Sequence, residues 1–182
     1  AEGSVTVSEY SLVGLTPRQI RERGVAHIPE DRMEDGVADK TNLEENFIVD
    51  RYYKPGYSKA GRLLWKQIRE KSKQLVADFN ILARSTKTTV GSLSGGNIQK
   101  VVVARELSSD PDVIIAAQPT RGIDVGSAEM VHNLLKDARD QGKAVFLVSA
   151  DLEEVLKLST RIVVLYRGEI VGHFENSEAL TA

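Results

Sequence analysis

Two periods alternate along the chain. Over residues 59–82, Leu64, Ile68, Leu75, Phe79 and Leu82 fall on one stripe, with Arg69, Glu70 and Lys73 elsewhere. That spacing predicts an amphipathic helix. Ser94 then caps a helix whose apolar positions are Ile98, Val101 and Val102. Beyond it the period changes. Residues 113–117 and 145–148 are unbroken apolar runs, the pattern of parallel strands covered on both faces. Between them Met130, Val131, Leu134, Leu135 and Ala138 face inward from a helix over about residues 127–140, stopped by Gly142. Asp151 and Glu154 cap another helix. Residues 162–166 and 169–174 predict two strands joined at Arg167-Gly168, a hairpin signal.

The first third is more broken. Residues 4–7 read as a short strand. Thr16-Pro17-Arg18-Gln19 is a capping box with proline at the first helical position, and its helix stops at Gly24. Residues 25–29 read as a buried strand ending at Pro29, and residues 30–40 as a charged loop around Gly36. Thr41-Asn42-Leu43-Glu44 is a second capping box, opening a helix towards Tyr52 that Lys54-Pro55-Gly56 breaks. Strands alternating with helices predict an α/β fold with a parallel sheet and right-handed crossovers.

Composition narrows the picture little. The 182 residues suffice for one domain with a sizeable core. A net charge of −2 argues against a broad basic face for nucleic acid. The chain has no cysteine, so disulfides are excluded. Its apolar runs are strand-sized, too short to span a membrane. It starts at Ala1 without methionine and enters a strand within four residues, the pattern of a cut fragment or of a processed terminus.

The chemistry concentrates at two places. Leu93-Ser94-Gly95-Gly96-Asn97 is a glycine-rich turn opening a helix. Two glycines after a capping serine let backbone approach a ligand, and the free amides of the first turn point at an anion. Such a turn is also a common structural way to start a helix. Some twenty residues on, Ala116-Ala117-Gln118-Pro119-Thr120-Arg121-Gly122-Ile123-Asp124 ends an apolar strand where phosphate-transfer enzymes usually carry carboxylates.

Together these stretches closely resemble the nucleotide-binding domain of ATP-binding cassette transporters, over essentially the whole chain. Residues 93–97 resemble the signature motif. Residues 113–126 resemble the Walker B strand followed by the D-loop. Ile28-Pro29-Glu30-Asp31-Arg32 sits where the Q-loop belongs. The resemblance implies a partial P-loop NTPase (RecA-like) parallel sheet with an inserted helical subdomain. Residues 1–40 would be an N-terminal core segment, 41–92 the helical subdomain, and 93–182 the signature helix and the C-terminal half of the core. The Arg-Gly-Ile-Asp-Val-Gly ending and the Pro-Glu-Asp-Arg stretch resemble the second cassette of tandem importer ATPases for simple sugars and nucleosides. The Ala-Ala-Gln-Pro-Thr-Arg-Gly form points to the nucleoside branch.

Against that pattern, several positions are altered. No G-x-x-x-x-G-K-[ST] loop occurs, so the piece is expected not to hold ATP tightly. The family's Asp-Glu pair after Walker B matches Ala117 and Gln118, and its switch histidine matches Ala150. Alanine cannot order magnesium, and glutamine cannot accept a proton, a loss of about 10²–10⁴-fold for a general base. Glu30 takes the Q-loop glutamine position and could still contact magnesium or water. In the family, two cassettes pair head to tail around each nucleotide. The resemblance then implies that Ser94, Gly95, Gly96 and Asn97 complete a partner cassette's site, and that Asp124 reaches across the seam or caps the helix that follows.

The expectation is thus a degenerate half of an importer ATPase. It would use ATP and Mg2+ only when assembled, with a partner cassette and transmembrane permease subunits, at the cytoplasmic face of the plasma membrane. No nucleic acid is expected, and an exposed sheet edge could drive self-association. The alternatives are a non-transport cassette protein acting on ribosomes or DNA and a purely regulatory binding module. Tyr52, Tyr53 and Tyr57 read as loop aromatics, or as part of the region that meets the permease. Trp65 reads as packing, Arg62, Lys66, Arg69 and Lys73 as a solvated face. His27, His132 and His173 lack ligand spacing.

Overall fold

The computed structural model describes residues 3–176. Among the described residues nine strands and six α-helices follow one another: β1 (Thr6–Val7), β2 (Tyr10–Ser11), α1 (Pro17–Glu22), β3 (Val25–Ile28), α2 (Leu43–Ile48), β4 (Ser58–Lys59), β5 (Arg62–Leu63), α3 (Trp65–Asp78), α4 (Gly95–Leu107), β6 (Val113–Ala117), α5 (Val125–Asp140), β7 (Ala144–Val148), α6 (Leu152–Leu158), β8 (Arg161–Tyr166) and β9 (Glu169–Glu175). A π-helical turn spans Arg32–Gly36 and a 3-10 turn Val90–Ser92.

The sheet at the centre is parallel, in the order β3-β6-β7. Val25 pairs with Val113 and Ile28 with Ala116; Val113 pairs with Ala144 and Ala117 with Val148. The expected parallel sheet is present, but it is covered differently. Both crossovers step the same way along it, so right-handed connections put α4 and α5 on one face. That face holds Ala26, Ile28, Ile114 and Ala116 against Val102, Val103, Val131, Leu135 and Ala138. On the other face Phe146 is 62% exposed and Val148 46%. The apolar run at residues 145–148 is therefore covered on one side among the described residues.

A second core joins α2, α4 and the segment between α3 and α4, through Leu43, Phe47, Ile81, Val90, Ile98, Val101 and Ala104. One helix serves both cores: α4 gives Ile98, Val101 and Ala104 to this one and Val102 and Val103 to the other. It is buried almost all round, as a helix between two apolar layers must be.

Most predicted elements are present, with shifted ends. Thr16 caps α1 with the reciprocal Gln19 bond and Pro17 at the start. The second capping box lies one residue later than read: Asn42 caps α2 and Glu45 reaches back to it, while Thr41 donates its hydroxyl to the Ala38 carbonyl. Two adjacent cap formers and two adjacent glutamates made the register ambiguous. α2 also ends at Ile48, well short of Tyr52. The long helix is shorter than residues 59–82. Left-handed backbone at Ala60 and Gly61 turns a small hairpin, β4–β5, and left-handed Asn80 follows the helix end. Leu82 consequently lies off the stripe, 68% exposed. The loop at 30–40 contains the π turn, capped by Asp31. At the other end β8 and β9 pair around Arg167-Gly168, both left-handed as a tight hairpin requires.

Candidate functional site

Ser94 caps α4 from extended backbone. Its Oγ accepts from the Asn97 amide at 3.4 Å and from Asn97 Nδ2 at 2.9 Å. Asn97 Oδ1 in turn accepts the Leu82 amide at 2.8 Å. The first amides of α4, at Gly95 and Gly96, have no acceptor within the helix. Gly96 answers a packing demand, and Gly95 has an arginine tip against it. A Cβ on Gly96 would lie 2.4 Å from Ser127 Oγ and 2.6 Å from Asp124 Oδ2; one on Gly95 would lie 2.9 Å from Arg32 Nη2. Gly96 therefore lies at the close meeting of α4 with the start of α5, a packing role that stands beside the ligand approach expected of the turn.

The segment after β6 is tied at nearly every residue. Gln99 Nε2 donates to the Pro119 carbonyl at 2.7 Å, from inside α4. The Thr120 hydroxyl donates to Glu154 of α6 at 2.7 Å. Arg32 donates to the carbonyls of Arg121 and Gly122 at 2.7 and 3.0 Å. Arg121 donates to Glu30, an exposed pair that contributes little on its own. Asp124 caps α5, accepting the Ser127 amide at 2.9 Å and its hydroxyl at 2.8 Å. Those two Ser127 bonds hold the Asp124 carboxyl below the usual carboxylate range. Asp31 is held low likewise, by the amides of Glu34 and Met33. Of the two roles foreseen for Asp124, helix capping is visible here, and it sets the start of α5 at Val125 instead of near Ser127.

The altered positions converge at the ends of β6 and β7. Ala117 closes β6. Gln118 follows in left-handed backbone, φ 47°, and donates its amide to the Val148 carbonyl at 2.7 Å. Its side-chain oxygen accepts the Ala150 amide at 3.3 Å. Ala117 has no oxygen donor and Gln118 carries an amide already engaged, so these residues do not fit a magnesium ion. Among the described residues, no three His, Cys, Asp or Glu side chains gather as a metal site.

Several contacts were not read from the sequence: Gln99 with Pro119, Arg32 with residues 121 and 122, and Thr120 with Glu154, whose side chain turns there while Asp151 alone caps α6. Glu154 is 3% exposed and also lies 2.8 Å from His132 Nε2, whose other ring nitrogen is buried without a partner. Glu44 and Glu106 are fully buried carboxylates. Glu44 meets Arg69, Thr86 and Lys87 at 3.0, 2.7 and 2.8 Å. Burial alone would push its carboxyl up, but those three donors outweigh it and hold it below the usual range. Glu106 binds Arg21 and Arg105 at 2.6 and 2.9 Å and accepts the His27 amide. Arg69, read as solvated, is thus paired. Trp65 is 39% exposed beneath the Lys87 ammonium, and Tyr53 donates to Glu22 at 2.9 Å under the Arg18 guanidinium.

A family model described as ABC transporter matches residues 1–121. The nucleoside import ATP-binding protein NupA of Lactococcus lactis subsp. cremoris is 41% identical over 170 residues, covering 93% of this chain and 34% of that protein. The guanosine import ATP-binding protein NupO of Bacillus subtilis is 41% identical over 176 residues, covering 97% of this chain and 34% of that protein. The chain thus spans about a third of the length of these curated relatives. The dimeric ATP-binding cassette MJ0796, in a post-hydrolysis state bound to ADP and Pi, matches with a TM-score of 0.79 at 23% identity, over 97% of this chain and 74% of that one. At that identity the likeness is one of fold, the P-loop NTPase fold of such cassettes. With two thirds of its length under the family model, the chain belongs to the ABC transporter family.

Proposed function

We propose that the chain is part of an importer ATPase that couples ATP hydrolysis to uptake of a nucleoside or simple sugar, and that it comes from a degenerate second cassette. The relatives named for nucleoside and guanosine import, at 41% identity, support the nucleoside branch; one named for glucose import is 38% identical. In this reading residues 41–92 form the helical subdomain. Ser94, Gly95 and Gly96, with Asn97 beside them, complete the site of ATP held by a partner cassette, and Asp124 lies at the seam. ATP and Mg2+ supply the phosphoryl group and its charge neutralisation there. The Ser94 hydroxyl and the first amides of α4 add donors to that charge. The chain would sit at the cytoplasmic face of the plasma membrane through permease subunits; no helix among its described residues is long and apolar enough to cross a membrane.

One observation carries the asymmetry. The Ser94 turn and the segment 119–124 are braced against each other by α4, Arg32 and Asp124, while Ala117, Gln118 and Ala150 meet with a single side-chain hydrogen bond and no carboxylate. The test is ATPase turnover of the intact subunit with its permeases, with each site disabled in turn. Disabling the partner's site should abolish turnover. Turnover that survives there and depends on Gln118 overturns the proposal.

A further inference from the structure

The Asn97 side chain can be oriented without ambiguity, and its orientation settles what Ser94 can do. The Leu82 amide can only donate, and it lies 2.8 Å from Asn97 Oδ1. The NH2 end of Asn97 is therefore the end turned to Ser94 Oγ, 2.9 Å away. The backbone amide of residue 97 reaches the same Oγ at 3.4 Å. A serine oxygen has two lone pairs, and both are then engaged by donors. What remains to Ser94 is its single hydroxyl hydrogen, on an exposed side chain at the open end of α4.

We infer that Asn97 acts through Ser94, as a positioning residue that makes the Ser94 hydroxyl an obligate outward donor. The inference rests on the proposed trans-acting role of Ser94 and deepens it: the group received at this turn must be an acceptor, such as a phosphate oxygen. The chain of bonds starts at Leu82, in the segment between α3 and α4.

Asn97→Asp tests this with nearly unchanged shape. An aspartate still accepts the Leu82 amide, but its second oxygen accepts from Ser94 and draws the hydroxyl hydrogen away. Asn97→Ala leaves the Leu82 amide without its acceptor but leaves the hydroxyl free to point outward. A purely structural asparagine therefore makes Ala the worse substitution, whereas a positioning asparagine makes Asp worse. The measurement is ATPase turnover of the intact subunit assembled with its permeases, with melting temperature recorded for each variant. The expected result is about a tenfold fall in kcat for Asn97→Asp, the size of one lost hydrogen bond to a charged group, and a smaller fall for Asn97→Ala.

A double-mutant cycle separates action through Ser94 from direct repulsion by the new charge. In a Ser94→Ala background, Asn97→Asp should change kcat by less than about twofold. An undiminished effect in that background overturns the inference, as does Ala being worse than Asp. If Ser94→Ala alone leaves turnover unchanged, the trans-acting reading fails and this inference falls with it.

Discussion

The turn at residues 94–97 and the strand ends carrying Ala117, Gln118 and Ala150 were expected to serve different sites, one completing a partner's and one altered. They differ in how they are held. The turn is braced: Gly95 and Gly96 lie where any Cβ would strike Arg32, Asp124 or Ser127, and Asn97 is bonded on both sides. The strand ends are joined by one side-chain bond, from the Ala150 amide to Gln118 Oε1 at 3.3 Å, and substitution there is expected to disturb little. A group that must meet charge arriving from outside has to be preorganised, because reorganisation at the moment of reaction adds to the barrier. A strand end without that task, as proposed for Ala117, Gln118 and Ala150, carries no such requirement.

The largest effect should come from Ser94→Arg in the assembled transporter. It should lower turnover by on the order of a hundredfold, the usual cost of losing such a donor. Comparable loss from Gln118→Ala in steady-state assays would erase the contrast between the two regions. Next comes Gly96→Ala. Its Cβ would stand 2.4 Å from Ser127 Oγ, so the starts of α4 and α5 must move apart. A loss of about 1–3 kcal/mol in denaturant unfolding is expected. Ala150→Ser, at the strand end, should stay within about 0.5 kcal/mol. Arg32→Ala removes two bonds to the carbonyls of residues 121 and 122, and should cost about 1 kcal/mol and raise hydrogen exchange in that segment.

The smallest effect is on the acid limb of stability. Glu44, Asp31 and Asp124 are held below their ordinary values. Each therefore stabilises the fold above the ordinary carboxylate range, and that contribution drains away as pH falls through its native value, below about pH 4. Melting curves from pH 7 to pH 3 should show this decline. Asp124→Ala should flatten it, and Ala117→Gly should leave it unchanged.

Repeating patterns made the architecture legible. Residues 113–117 and 25–28 are strands because their apolar runs suit nothing else, and Thr16-Pro17 starts a helix by local bonding alone. Where two residues could do one job, the reading slipped: Asn42 won over Thr41 because Thr41 had a carbonyl at Ala38 to satisfy. The coverage of the sheet was not legible, since it depends on which way successive crossovers step. Nor were the braces. Arg32 meets residue 122 across 90 positions, and Glu154 meets Thr120 across 34. No local spacing encodes such meetings; they exist only once β3, β6 and α6 are in place.

The helix that begins at Ser94 also fixes how the molecule can come apart. Its residues close both apolar clusters, so neither cluster can open while the other stays shut. The two clusters should lose their order in one concerted step, with the amides of residues 101–104 exchanging last and together. An event at the exposed tip of that helix would then be felt in both halves as a shift of one rigid rod.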